Sequence, residues 1–179
     1  MISPSTDVMN PDHGTDEKMM NIIKETYKSV IATSEVNIDA VVTGKGLAFG
    51  GIGPSKMAAG YGVAHSAKFV MDNLNNKILA TSNLFTGGSK KSVIIHGFGV
   101  VGLNLAKELV KADFKIVGLT DEDTGCFNPI GFDPQEIYEY KKKNNGLQGI
   151  SKTLNKPADI LSQKCDILIS TQREQLFDK

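Results

Sequence analysis

Apolar positions in this chain follow two different periods, and the switch between them divides the sequence into elements. Met19, Ile22, Ile23, Tyr27, Val30 and Ile31 recur three and four residues apart, which predicts a helix from about Thr15. Thr15 can cap that helix, and Asp16 and Glu17 suit the positive end of its dipole. Residues 1 to 12 read as a short extended segment leading to Pro11-Asp12. The stretch "TGKGLAFGGIGPSKMAAGYG" (43 to 62) holds too many glycines for a regular element, whereas "VAHSAKFVMDNL" (63 to 74) returns to helical spacing. A loop is expected over "NLFTGGSKK" (83 to 91).

From there strand-like runs alternate with helical ones. "KSVIIH" reads as a strand, "VVGLNLAKELVKAD" as an amphipathic helix starting near Val100, and "KIVGLTD" as a second strand ending in acid. Asp133 is a good N-cap and Pro134 fits the first helical position, so a helix is expected through "PQEIYEYKKKNN". "KCDILIS" (164 to 170) is a third apolar strand. This alternation predicts an α/β fold, a Rossmann-like parallel sheet with flanking helices. Three strands against the six of a complete doubly wound domain predict an incomplete one.

Composition narrows the function classes. With 40% apolar residues the chain can bury a core, and 20 basic against 20 acidic side chains leave no excess for nucleic acid or a membrane surface. The N-terminus has no signal-peptide pattern, and no apolar run approaches the roughly 20 residues of a membrane span. Cys126 and Cys165 have neither metal-ligand spacing nor the company of a disulfide framework, so free thiols in a reducing cytoplasm are expected.

The candidate chemistry lies between the first strand and the next helix. Gly97, Gly99 and Gly102 satisfy G-x-G-x-x-G, with Phe98, Val100 and Val101 between them. The first glycine allows the tight turn, the second lets a pyrophosphate approach the backbone, and the third lets the helix pack closely on the strand. Unpaired N–H groups at the helix start would face the phosphates. Asp121 lies 24 residues after Gly97, near the spacing of roughly 20 for a carboxylate that binds ribose hydroxyls. A βαβ unit without a ligand is the bland alternative. Asp121, Glu122 and Asp123 together would repel a 2′-phosphate, which favours NAD over NADP; for Glu122 and Asp123 a solvated acidic turn is the plainer reading.

The flanking segments "NPDHGTDEKMM", "TGKGLAFGGIG", "GFGVVG", "FNPIGFDP" and "CDILIS" follow in an order that resembles the glutamate/leucine/phenylalanine/valine dehydrogenase family, most closely its glutamate dehydrogenases. The resemblance implies NAD(P)-dependent oxidative deamination of an L-amino acid, glutamate to 2-oxoglutarate plus ammonia being the reaction expected. It implies that Asp12 is the catalytic proton-transfer carboxylate, against a plain helix-capping role. It divides the chain into residues 1–35, a remnant of a substrate-binding domain with its linking helix, and residues 36–179, a partial Rossmann-type domain.

Several positions depart from the family pattern. Ser55 stands where the family carries a substrate-holding arginine, Ala59 where a threonine contacts the nicotinamide amide, and Val100 where an asparagine is usual. Ser170-Thr171-Gln172 replaces Pro-Ala-Ala near the nicotinamide. The family's active-site lysines would precede residue 1 and its last strands would follow Lys179, so the resemblance implies a shortened relative. Two readings follow. One is an enzyme part that works with a complementary dehydrogenase chain; the other is a non-catalytic nucleotide-binding or subunit-association module. An open half-sheet exposes an edge strand, so self-association into a homo-oligomer, or dependence on a partner, is expected. His65 and His96 read as packed or surface histidines before catalytic ones.

Overall fold

The computed structural model describes residues 2–12, 14–31, 37–53, 55–74, 90–150 and 156–172. The expected loop over 83 to 91 lies largely outside them. The chain divides into two compact units, Met1–Lys56 and Met57–Lys179.

The N-terminal unit is built on α1 (Glu17–Ile31), followed by two short 3₁₀ turns, Ile38–Val41 and Leu47–Phe49. Met20 of α1 is buried with Val41 and Val42, and Met9, Ile23 and Tyr27 pack around them. The helical periodicity is therefore real, but the packed stripe runs through Met20, Ile23 and Tyr27, while Ile22 and Val30 are exposed. The cap also differs from expectation. Asp16 Oδ1 accepts from the Met19 N–H, and Thr15 turns back to Asp12, its hydroxyl accepting the Asp12 N–H at 2.7 Å. A carboxylate competes well for this position because it meets the helix dipole with a full charge.

In the second unit α2 (Ser55–Leu74) begins eight residues earlier than the sequence suggests. Gly60 and Gly62, read as breakers, lie inside it. Gly60 is buried where α2 meets α3 (Val100–Lys111), and a Cβ there would stand 2.7 Å from the Leu105 nitrogen and 2.8 Å from the Val101 oxygen. This glycine is a helix-packing residue rather than a turn.

The sheet holds β1 (Ser92–His96), β2 (Lys115–Thr120), β3 (Gly125–Phe127) and β4 (Ile167–Ser170) in the order β3-β2-β1-β4. β1 pairs in parallel with β2 and with β4, as an α/β architecture requires. β3 runs antiparallel to β2 through Gly118↔Phe127 and Thr120↔Gly125, so the sheet is mixed rather than purely parallel. Three residues are too few to show a period, and a short connection allows only an antiparallel return.

Both faces are covered, which explains why β1 and β2 read as continuous apolar runs. Val93, Ile95, Ile116 and Leu119 pack with Leu105, Ala106 and Leu109 of α3. On the other face Ile94 and Val117 pack with Ile160 of α5 (Pro157–Leu161). α4 (Pro134–Asn144) is capped as expected: Asp133 accepts from the N–H groups of Gln135 and Glu136, with Pro134 at the first position.

Candidate functional site

The carboxyl ends of β1, β2 and β4 converge on a cleft of about 480 Å3. Its floor is the turn from β1 into α3. Gly97 sits at φ +92°, a conformation that favours glycine. A Cβ at Gly102 would meet the Gly97 carbonyl oxygen at 2.3 Å, so the third glycine is required by the turn itself. Gly99 differs: a Cβ there would meet nothing within 4 Å. It is the N-cap residue of α3 and provides no side-chain cap. The first amides of α3 therefore have no intrahelical acceptor and no capping group, the arrangement that receives an anion.

Gly97, Phe98, Gly99, Val100, Val101, Gly102 and Asp121 all line this cleft, as the sequence placed them together. Four further residues join them: Glu122, Lys141, Thr171 and Gln172. Asp121 follows β2, and its Oδ1 accepts from the Glu122 N–H at 2.9 Å. Its other oxygen lies 2.7 Å from Lys141 Nζ on α4, which also donates to the Phe98 carbonyl at 2.9 Å. The sequence shows Lys141 only as part of a basic helix end. Its partner is 20 positions away, and no local spacing signals the pair.

Thr171 and Gln172 follow β4. The Thr171 hydroxyl donates to the Gly97 carbonyl at 2.5 Å and reaches the His96 carbonyl at 3.3 Å. A Cβ on Gly97 would stand 2.9 Å from the Gln172 nitrogen, so the two segments are in close contact. Among the described residues, two buried side-chain oxygens lack a hydrogen-bond partner, Thr120 Oγ1 and Gln172 Oε1. His96 is buried at the end of β1, with Nδ1 3.1 Å from Ser170 Oγ, and burial holds its pKa below the ordinary value.

The remaining sequence candidates are not among the residues that line this cleft. Ala59 is an exposed position of α2 and is not among the residues lining this cleft. Asp12 belongs to the N-terminal unit, where its residue is exposed and its backbone is tied to Thr15. His65 is exposed on α2, and the Ser55 side chain falls outside the described set. Among the described residues no group of His, Cys, Asp and Glu is placed to hold a metal ion, and no helix is long and apolar enough to cross a membrane.

Known proteins resemble this chain in sequence and in fold. Residues 50–178 match the model of the Glutamate/Leucine/Phenylalanine/Valine dehydrogenase family. The chain is 31% identical over 176 residues to the mitochondrial glutamate dehydrogenase of Dictyostelium discoideum, covering 97% of this chain and 34% of that protein. It is 31% identical over 182 residues to an NADP-specific glutamate dehydrogenase of Saccharolobus shibatae, covering 99% and 39%. Among solved structures, a hetero-hexameric glutamate dehydrogenase from Thermus thermophilus, in a leucine-bound form, superposes with a TM-score of 0.78 at 26% identity, covering 99% of this chain and 39% of that one. The chain thus spans between a third and two fifths of the length of these relatives. With the glycine turn, the strand order and the family match in agreement, this chain belongs to the glutamate/leucine/phenylalanine/valine dehydrogenase family.

Proposed function

We propose that this chain is the NAD(P)-binding part of a glutamate dehydrogenase-type amino-acid dehydrogenase. The observation that carries this is the cleft itself: an uncapped helix start, a glycine that leaves room for phosphate, and a carboxylate at the end of the adjacent strand. Those residues fit a dinucleotide. The amides of Val100, Val101 and Gly102 would hold the pyrophosphate, and Asp121 would accept from the hydroxyls of the adenosine ribose. When bound, the nicotinamide would exchange a hydride with the α-carbon of an amino acid. Asp12, by its place in the family pattern, would move protons at the amino group.

The preference for NAD draws no support from the relatives, which include NADP-specific enzymes. It rests on charge alone. Asp121 and Glu122 face one ammonium, that of Lys141, so the ribose end of the cleft stays net negative and disfavours a 2′-phosphate. We further propose that catalysis draws substrate-binding groups from a substrate domain, in the same protein or in a complementary chain, and that the working form is oligomeric.

The test is a fluorescence titration with NADH and NADPH. Saturable micromolar binding, roughly −8 kcal/mol, with NADH the tighter ligand, supports the reading. No binding to millimolar concentration rejects it in favour of a non-catalytic association module, and tighter NADPH binding rejects the NAD preference.

A further inference from the structure

We propose that the N-terminal unit carries a second ligand site, an anion pocket in which Lys28 and Lys45 hold the phosphate group of a small phosphorylated metabolite. It shares no residue with the dinucleotide cleft and does not depend on the cofactor reading.

The first observation is a cavity of about 500 Å3 lined by Lys28, Asn37, Asp39, Lys45 and Gly50, all within this unit. Small-molecule sites occupy roughly 300–1,000 Å3. Two bonds tie its walls together. The Asn21 side chain on α1 accepts from the Gly46 N–H at 2.8 Å, and Lys24, buried on the same helix, donates to the Phe49 carbonyl at 3.0 Å. The loop that carries Lys45 is thereby pinned to the helix that carries Lys28, so the cavity is formed before any ligand arrives.

The second observation is its charge. Asp39 is the one carboxylate on the wall, and Lys24 already pairs with it at 2.9 Å. That hydrogen bond holds the Asp39 carboxyl below its ordinary value, and the charges of Lys28 and Lys45 lower it further, so both stand within electrostatic reach. Among the described residues neither Lys28 nor Lys45 has a carboxylate at ion-pair distance. Lys45 gives one hydrogen to the Val42 carbonyl at 2.7 Å and keeps two. Two uncompensated ammonium groups therefore share a preformed cavity. Lysine acts as a point charge with rotatable donors, which suits a tetrahedral oxyanion better than a planar carboxylate. The cavity is larger than a bare phosphate, which leaves room for the body of an ester.

The experiment titrates the isotope-labelled full chain with inorganic phosphate, glycerol 3-phosphate and malonate in constant chloride, reading backbone amide shifts by NMR. The amides of Asn37, Lys45 and Gly50 report this pocket, and those of Gly97 to Gly102 report the cleft separately. Saturable phosphate shifts at the first set, with a Kd below about 1 mM, are expected. Lys28→Gln and Lys45→Gln should each weaken binding about 3- to 10-fold, the loss of one partly solvated charge-assisted bond. Asp39→Asn keeps an acceptor for Lys24 and removes the like charge, so it should bind phosphate more tightly. Melting curves of the free variants separate lost binding from lost folding, and exposed Lys28→Gln should melt as the parent does. Glycerol 3-phosphate tighter than phosphate identifies an ester as the ligand, and equal affinity identifies free phosphate. Shifts confined to the glycine turn overturn the proposal, as do malonate binding as tight as phosphate, weaker binding by Asp39→Asn, or full affinity in both lysine variants.

Discussion

Lys141 Nζ lies 2.7 Å from Asp121 Oδ2 and donates to the carbonyl of Phe98, so one ammonium on α4 joins the acidic end of the cleft to its glycine turn. Removing it leaves Asp121 and Glu122 uncompensated. Lys141→Ala is expected to lower NADPH affinity about tenfold or more while changing NADH affinity much less, since only the former adds a phosphate dianion there. Asp121→Ala should move the ratio the opposite way. Parallel titrations with both cofactors measure it, and equal changes for the two would remove Lys141 from the ribose site.

Thr171 holds the turn through its hydroxyl. Valine has nearly the same shape but no donor, so Thr171→Val should cost about 1 kcal/mol of stability, whereas Thr171→Ser should cost less. Denaturant midpoints of the three proteins test this. A valine variant as stable as the parent would show that the bond to Gly97 contributes nothing.

Two glycines of α2 should respond oppositely to alanine. Alanine gains up to about 1 kcal/mol of helix propensity at either site. At Gly62 nothing lies within 4 Å, so that gain should appear as added stability. At Gly60 the new methyl would meet backbone atoms of α3 at 2.7 and 2.8 Å, and overpacking of this kind costs about 1–3 kcal/mol. Gly60→Ala should therefore destabilise on balance. Thermal melts of the pair decide the matter, and a stabilised Gly60→Ala would mean that α2 and α3 do not pack as described.

These glycines also show where the sequence was readable. The βαβ unit, the cap at Asp133 and the glycine turn were legible because each has a local cause: a period, a capping oxygen, a φ that favours glycine. The start of α2 was hidden because Gly60 serves a contact with Leu105, 45 positions on, and a glycine required by packing is written like one required by a turn. β3 was too short to show a pattern. Within the site, Asp121 was found by its spacing, but Lys141 and Gln172 reach the cleft only through the tertiary arrangement of α4 and β4. Thr171 and Gln172 read as departures from a family pattern, and the cleft they line gives them a place.

His96 should make stability depend on mild acid. Burial lowers its pKa in the folded chain, so the unfolded chain binds the proton more readily. Its contribution is complete above the unfolded value of about 6.5 and is lost as pH falls below that towards the folded value. Unfolding free energy should thus decline between neutral pH and pH 5. His96→Gln should flatten that slope, as measured by urea denaturation at several pH values. An unaltered slope would assign the dependence to other groups.

The contact between Gly102 and the Gly97 carbonyl has an evolutionary consequence. Any side chain at either position would break the turn whether or not a nucleotide ever arrives, so selection for folding alone keeps both glycines. A descendant that had ceased to bind would still carry the fingerprint, as a building keeps its doorframe after the door has gone. Asp121 and Lys141 meet no such backbone clash, and folding holds them through their ion pair and one hydrogen bond to the Phe98 carbonyl. Their fate across related chains, rather than that of the glycines, would record whether the lineage selects for binding a dinucleotide.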